Sequence, residues 1–466
     1  MKKKMHLLVA VAAVALIAAA AVGYARLLLE AGAAFDHLSA GERRTYSVIA
    51  DGTYNEAHQD NLALRPVQLL GSITTADGQA LFDAADAYGR EDAAITGLLG
   101  NMESLRYDKT QYILPNYADH LLPDLRYNAV TGVVGAEVPG QLTLNLRWDL
   151  QQKMHQALDT CGETGSVAAY NYTTGEVLCL ATNPGWQETD ENGAFVDGAF
   201  LNRNLGVVTP ASTMKLVTMF LLMEQGFVPE ELWFTCDSTH DLCDGNTVRC
   251  HGWHGSLNGV KALGVSCNCW FAQAIERLDV QRAAAVLRDL GWCVNGEGGG
   301  SATLGRLSLY DCTVTLHDRW DFPSVWTLIG LDAGLVSPVW MMEFVGALAA
   351  GEAAVQPRLM RHELTEAAPY AAAYAGELAA VSALWDDAYE DWYASDGAWH
   401  EDITCAKTGT VDQQVGDTGH DKRLAGYSEK YGVAFYIVTY GPNQNAAKIL
   451  SAALMEALAE TMGPAA

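Results

Sequence analysis

A serine and a lysine three residues apart are the first residues in this sequence whose spacing suggests chemistry. Ser212 and Lys215 stand at the entrance of residues 214–222, which are almost wholly apolar. Positions i and i+3 of a helix share one face, so the hydroxyl and the amine come within hydrogen-bond reach. Burial beside a second cation would lower the pKa of Lys215 toward neutrality. A neutral Lys215 can take the proton of Ser212, which then attacks as a nucleophile.

Two further short motifs follow along the chain. S-C-N occupies residues 266–268, and K-T-G-T occupies residues 407–410. Ser266 and Asn268 stand between two apolar helical segments, a position from which both side chains can point into a cleft. A competing S-L-N at residues 256–258 lies in a glycine-flanked loop and is typical of a turn.

The K-T-G-T residues lie in a segment with the alternation of a strand. Gly409 on such a strand lets a substrate backbone approach closely. The backbone N–H of Thr410 can form one half of an oxyanion hole, and the N–H of Ser212 at a helix N-terminus can form the other. Taken singly each motif is weak, because a plain strand with one surface lysine such as Lys407 gives the same letters.

Apolar periodicity predicts the elements that must hold these residues. Strands are predicted at 165–172, 177–182, 403–411, 423–427 and 431–440, and a terminal helix at 445–462. Strands therefore open and close the domain, with helices inserted between them. This order predicts an α+β fold in which an antiparallel sheet is flanked by helices, with an inserted helical lobe and a cleft at the junction.

The N-terminus has the pattern of an export signal. Three lysines at positions 2–4 precede an uncharged apolar run at 7–24, which ends at Arg26. The run is long enough to span a bilayer, and the basic flank predicts that everything after it is exported. We favour a single-pass anchor in the cell membrane with an extracytoplasmic catalytic domain. Cleavage after the small residues at 23–25 is the alternative.

Length and charge limit the organisation and the partners. A chain of 466 residues exceeds one ordinary core. We assign residues 1–26 to a cytoplasmic end and transmembrane anchor, 27–150 to a small strand-containing module and 151–466 to the catalytic domain. The net charge of −27 would repel nucleic acid, so we exclude that class of partner.

The cysteines are the remaining candidates for a site. Cys236, Cys243, Cys250, His251 and His254 in principle surround zinc, but the close C-x-x-C pairs typical of structural zinc are missing. We therefore predict no metal and no cofactor. A loop beside the cleft is the interpretation we prefer. Cys236 and Cys250 could close this loop by a disulfide, whereas a reducing habitat would leave all the cysteines free.

The three motifs in this order resemble the penicillin-binding proteins of the class B type, which carry a transpeptidase domain behind an N-terminal pedestal. The resemblance covers roughly residues 141–466. It includes the predicted hairpin at 165–177, N-R-N at 202–204 before the nucleophile, and H-G at 254–255 before S-C-N.

The resemblance implies a D,D-transpeptidase that acts on peptidoglycan stem peptides ending in D-alanyl-D-alanine. Ser212 would attack the penultimate carbonyl while Lys215 takes its proton. Ser266 would relay a proton to the departing D-alanine, and Asn268 would hold the peptide amide. An amine of a second stem peptide would then release the acyl group and form a cross-link.

The same resemblance implies the remaining binding roles and the partners. Lys407 and Thr408 would hold the substrate carboxylate, and Thr410 would complete the oxyanion hole beside Gly409. β-Lactams would acylate Ser212 as inhibitors, and a membrane lipid-II glycosyltransferase would supply the glycan strands. Two rival functions use the same residues: hydrolysis, by a D,D-carboxypeptidase or a β-lactamase, and non-catalytic sensing of muropeptides or β-lactams.

Overall fold

The computed structural model describes most of the catalytic domain and parts of the chain before it. The described residues are 2–36, 71–83, 92–100, 111–121, 124–128, 133–138, 140–185, 201–300, 302–392, 399–412, 420–441 and 443–462. All three motifs lie within them, whereas part of the predicted 27–150 module lies outside. Helix α1 spans Lys2–Asp36. Its stretch Ala10–Leu27 is long and apolar enough to cross a membrane, and none of it is buried against the protein.

A five-stranded antiparallel sheet forms the framework of the catalytic domain. Its strands are β6 (Thr164–Asn171), β7 (Val177–Asn183), β17 (Cys405–Asp412), β18 (His420–Ser428) and β19 (Val433–Tyr440). The order across the sheet is β17-β18-β19-β6-β7, so both ends of the domain contribute neighbouring strands. The predicted α+β fold with a shared sheet is confirmed.

Helices cover the sheet and build the second lobe. They are α4 (Trp148–Thr160), α5 (Met214–Glu224), α6 (Gly259–Gly264), α7 (Asn268–Ile275), α8 (Val280–Asp289), α9 (Phe322–Ile329), α10 (Pro338–Ala350), α11 (Ala375–Trp392) and α12 (Ala446–Thr461). Helix α10 packs against β19 and β6, and α4 and α12 pack on each other and on the sheet. Strand β19 is buried at nearly every position because helices cover the sheet.

Helix α5 is the element that the sequence predicted most sharply. Residues 214–222 of this helix are all buried. A helix that is apolar on every side must be surrounded by protein, and α5 contacts α7, α9 and α11. Lys215 is therefore carried into the interior by its neighbours.

Short strand pairs occur between the helices of the second lobe. They are β8 (Phe234–Cys236), β9 (Thr239–Asp241), β10 (Thr247–Arg249), β11 (Gly255–Leu257), β12 (Cys293–Val294), β13 (Glu297–Gly298), β14 (Thr303–Leu304), β15 (Leu307–Ser308) and β16 (Thr313–Val314). Strand β8 pairs with β11, and β9 pairs with β10. Strands of two or three residues are too short for apolar alternation to reveal them.

The described part of the N-terminal module also contains strands, as predicted. Its elements are β1 (Ser72–Thr74), β2 (Ala80–Asp83), α2 (Ala93–Leu99), α3 (Ile113–Leu121), β3 (Asp124–Asn128), β4 (Val133–Val138) and β5 (Gln141–Thr143). Strand β5 joins β1 and β2 in a three-stranded sheet. Helix α2 packs on α4, where the Gln151 amide donates to the Ala94 carbonyl at 2.7 Å. The assigned boundary at residue 150 stays a prediction.

Candidate active site

Ser212 lies in a tight turn immediately before helix α5. The turn is a single 3₁₀ turn, Ala211–Thr213, and Ala211 has a φ of 52°. Two glycines allow this turn to pack closely. A Cβ on Gly330 would lie 1.7 Å from the Ala211 carbonyl oxygen, and a Cβ on Gly409 would lie 3.1 Å from the Ser212 nitrogen. Gly409 therefore lets strand β17 approach the serine turn, a requirement that the sequence interpretation missed.

Lys215 is fully buried, and its amine contacts three of the predicted site residues. Nζ lies 2.9 Å from Ser212 Oγ, 3.1 Å from Ser266 Oγ and 2.7 Å from Asn268 Oδ1. It also lies 2.8 Å from the Ser266 carbonyl oxygen. A neutral amine keeps one lone pair, and the Ser212 hydroxyl is placed to donate its proton there.

Burial sets the charge of the two lysines of the site. Burial lowers the pKa of Lys215 well below its ordinary value, and the positive charge of Lys407 lowers it further. Burial alone lowers the pKa of Lys407 to about 7. The sequence argument named both of these causes for Lys215, and the structure contains both.

Ser266 stands between the two lysines. Its Oγ lies 3.1 Å from Lys215 Nζ and 3.1 Å from Lys407 Nζ. Ser266 has a φ of 55°, and Asn268 opens helix α7 and donates from Nδ2 to the Arg249 carbonyl at 3.1 Å. A hydroxyl in contact with two amines can pass a proton between groups on either side.

The competing S-L-N does not contribute to this cleft. Ser256 lies on strand β11, and Asn258 caps helix α6 by accepting from the Lys261 N–H at 3.2 Å. Asn258 therefore has a structural role, because it accepts a hydrogen bond from a backbone N–H in the first turn of the helix.

The K-T-G-T residues lie on β17, the edge strand of the sheet. Lys407 Nζ donates to the Thr408 carbonyl at 2.7 Å. Strand β17 pairs with β18, and Thr410 stands opposite Lys422 in that ladder. The backbone groups of residues i and i+2 point to the same side of a strand, so the N–H of Thr410 shares a side with the Thr408 carbonyl.

The structure thus brings five predicted residues into one contact network, and places the other three beside it. The five are Ser212, Lys215, Ser266, Asn268 and Lys407. The other three, Thr408, Gly409 and Thr410, follow Lys407 along β17.

Two residues that position the serine turn were not predicted. The Arg423 side chain is 1% exposed and donates from Nε to the Thr209 carbonyl at 2.9 Å. Thr213 Oγ1 donates to the Pro210 carbonyl and contacts Tyr436 Oη at 3.1 Å. An arginine on a strand is usually a surface residue, so no sequence signal marked Arg423.

The cysteines follow one of the two alternatives that the sequence left open. All ten are free, and the possible disulfide between Cys236 and Cys250 is not formed. Cys236, Cys250 and His254 instead meet Cys267, the middle residue of S-C-N. Cys243 lies outside this group, with its thiol directed to the Trp320 carbonyl at 3.3 Å.

A protein-family model matches the part of the chain that contains this site. It is the model for the penicillin binding protein transpeptidase domain, and it matches residues 165–460, well over half of the chain. This chain belongs to that family. The resemblance to the class B penicillin-binding proteins that the motifs indicated is confirmed, and with it the penicillin-binding transpeptidase fold.

One curated relative aligns over part of this penicillin-binding protein. Stage V sporulation protein D of Bacillus subtilis (strain 168) is 30% identical over 143 residues. The aligned stretch is 28% of this chain and only 22% of that protein. The match therefore covers a segment and leaves most of both proteins unaligned.

Solved structures show the fold over a much longer stretch. The D,D-transpeptidase domain of a peptidoglycan glycosyltransferase from Eggerthella lenta has a TM-score of 0.66 at 19% identity, covering 84% of this chain and 98% of that one. PBPA from Mycobacterium tuberculosis has a TM-score of 0.64 at 16% identity, covering 83% and 98%. A ceftriaxone acyl-enzyme complex of penicillin-binding protein A from M. tuberculosis has a TM-score of 0.64 at 17% identity, covering 84% and 99%.

Proposed function

We propose that this penicillin-binding protein is a D,D-transpeptidase that cross-links D-alanyl-D-alanine stem peptides through an acyl-enzyme on Ser212. One observation carries the proposal: Ser212 Oγ lies 2.9 Å from the amine of Lys215, which is fully buried. Burial favours the neutral amine, which is the form that can act as a base.

Acylation proceeds in two proton transfers. Ser212 Oγ attacks the carbonyl of the penultimate D-alanine while its proton moves to Lys215. The N–H groups of Ser212 and Thr410 stabilise the oxyanion of the tetrahedral intermediate. When the peptide bond breaks, Ser266 passes a proton to the departing D-alanine amine, because its hydroxyl contacts both lysines.

Substrate binding and deacylation use the same cleft. Lys407 and Thr408 hold the carboxylate of the terminal D-alanine, and Asn268 holds the amide of the stem peptide. An amine from a second stem peptide attacks the acyl-enzyme, loses its proton through Lys215 and releases Ser212. No cofactor takes part in these steps.

The N-terminal helix supports a cellular setting for this reaction. A membrane anchor at residues 1–26 behind a basic N-terminus would leave the catalytic domain outside the cytoplasm, where peptidoglycan is cross-linked. A membrane lipid-II glycosyltransferase is the partner that would supply uncross-linked strands. β-Lactams, which form acyl-enzymes in the M. tuberculosis structures, would occupy Ser212 here.

The test uses the full-length chain in detergent, incubated with a fluorescent penicillin and followed by intact mass. We expect one stable adduct on the wild type and on Ser256→Ala, a serine of the competing S-L-N, and none on Ser212→Ala.

A second assay uses a D-alanyl-D-alanine peptide, with and without an acceptor amine, to distinguish transpeptidation from hydrolysis. Cross-linked product supports transpeptidation, and hydrolysed peptide alone indicates a carboxypeptidase. Rapid loss of the adduct indicates a β-lactamase, and no adduct on the wild type leaves a sensor.

A further inference from the structure

A compact group of thiols and one imidazole lies directly behind the S-C-N motif. The Sγ atoms of Cys236, Cys250 and Cys267 and a ring nitrogen of His254 all lie within 4.8 Å of one another. Cys236 and Cys267 are buried, and the other two are half-buried. Three thiols and an imidazole are the donor set of structural Cys₃His zinc sites.

The distances within the group match the edges of a tetrahedron around zinc. Bonds of about 2.3 Å to sulfur and about 2.0 Å to nitrogen give edges of about 3.8 Å between sulfurs and about 3.5 Å between sulfur and nitrogen. Cys250 Sγ lies 3.9 Å from Cys267 Sγ. His254 Nδ1 lies 3.5 Å from Cys236 Sγ and 3.5 Å from Cys250 Sγ. A disulfide needs sulfurs about 2.05 Å apart, so none of these contacts is one.

The four residues come from three short segments around strands β8, β10 and β11 and from the start of helix α7. Cys236 ends strand β8, Cys250 follows β10, and His254 precedes β11. Each of these strands has three residues, and Trp253 beside them is 71% exposed. A metal bound by all four side chains would hold these short ribbons together.

We infer that Cys236, Cys250, His254 and Cys267 bind one Zn²⁺ ion, which ties the β8–β11 ribbons to the S-C-N segment. Four protein ligands close the coordination sphere, so the ion is structural and leaves no position for substrate or water. The metal site stands on this geometry and does not depend on the proposed reaction.

The ion would act on catalysis through Cys267, with a second link through Arg249, which precedes Cys250 and whose carbonyl accepts from Asn268. Cys267 is flanked by Ser266 and Asn268, and both of these contact the Lys215 amine. The backbone N–H of Trp270 donates to Cys267 Sγ at 3.4 Å. Hydrogen bonds of this kind orient a metal-bound thiolate. The four ligands are therefore positioning residues for the S-C-N side chains, a consequence that rests on the proposed function.

The first measurement is the metal content of the full-length wild type, purified in detergent without chelators. We expect one zinc per chain. When Co²⁺ replaces the zinc, we expect the absorption bands of tetrahedral Co²⁺ bound to thiolates. Cys250→Ser should lower the zinc affinity by more than the roughly 10–100-fold that loss of an outer contact costs. Cys243→Ser, whose thiol points at the Trp320 carbonyl, is the matched control and should keep one zinc per chain.

The second measurement separates positioning from stability. Zinc-depleted wild type that retains its circular dichroism spectrum should acylate with penicillin at least about tenfold more slowly, and added Zn²⁺ should restore the rate. Absence of zinc from the wild type, a disulfide between Cys250 and Cys267, or equal zinc loss in Cys243→Ser and Cys250→Ser would each overturn the site. An unchanged acylation rate after zinc depletion would overturn the positioning role. The metal site itself would still be tested separately, by the zinc content of the wild type.

Discussion

At the scale of single residues, two buried lysines share one hydroxyl. Both Lys215 Nζ and Lys407 Nζ contact Ser266 Oγ, so their charges are strongly coupled. Two adjacent ammonium groups in a buried site repel each other, and the site favours one neutral and one charged amine. The proposed mechanism needs Lys215 neutral as the base and Lys407 charged to attract a carboxylate.

Replacing Lys215 by arginine tests the base directly. Arginine stays charged at all accessible pH values and cannot accept the Ser212 proton. We expect the acylation rate of Lys215→Arg to fall by about 10²–10⁴-fold, the usual contribution of a general base. Stopped-flow acylation by fluorescent penicillin measures it. Lys261→Arg, an exposed lysine of α6, should acylate at the wild-type rate, and equal loss in both variants would contradict the assignment.

The two lysines also predict the pH dependence of acylation. The rate should rise as pH increases through the lowered pKa of Lys215, because the base is then neutral. It should fall as pH rises above about 7, where Lys407 loses its proton and its hold on the substrate carboxylate. In Lys407→Arg the charge persists, so the alkaline fall should disappear. A fall of the same size in that variant would show that another group titrates.

At the scale of elements, strand β17 and the serine turn are packed so closely that only glycine fits between them. A Cβ on Gly409 would lie 2.8 Å from the Ala211 Cβ, so Gly409→Ala must push β17 away from Ser212. A shift of about 1 Å in a catalytic site can cost about 10²-fold in rate, and we expect a loss of that order in acylation. The penicillin acylation rate measures it.

The control for this variant is Gly376→Ala in helix α11, where a Cβ meets nothing within 4 Å. Alanine at such a position should leave the rate unchanged and stabilise the fold by about 0.4–1 kcal/mol. Wild-type acylation by Gly409→Ala would contradict the packing argument.

The sequence predicted the long elements well and the short ones poorly. The strands β6, β7, β17, β18 and β19 and the helix α5 carry enough apolar periodicity to be recognised. The three motifs could be placed because two of them stand at the N-termini of helices α5 and α7 and K-T-G-T lies within strand β17. The role of Gly409 in packing could not be predicted from the sequence, because it depends on which turn faces the strand in three dimensions.

The thiol group shows the same limit more sharply. Zinc sites are recognised in a sequence by close cysteine pairs, whereas the three cysteines here, Cys236, Cys250 and Cys267, lie far apart along the chain. Cys267 was assigned only as the middle residue of S-C-N. Distances between side chains were needed to connect it with the other three.

At the scale of the whole molecule, the N-terminal apolar helix fits a single-pass membrane anchor. The stretch Ala10–Leu27 is long and apolar enough to cross a bilayer, and it is not buried against the described part of the protein. We expect the chain to sediment with membranes after alkaline carbonate washing. Its intact mass there should include the N-terminal lysines. A soluble chain that begins at Arg26 would instead establish cleavage.

The order of strands in the sheet also governs how the enzyme matures. Ala169 of β6 pairs with Phe435 of β19, so the sheet cannot close until almost the whole chain has emerged. At synthesis rates of about 5–20 residues per second, β6 and the serine turn wait for about ten seconds or more before β17–β19 appear. During that interval the strand edge and the apolar helix α5 need shelter from aggregation. A chain truncated before residue 405 lacks Lys407 and three of the five sheet strands, so we expect reactivity toward penicillin only after these strands have joined the sheet.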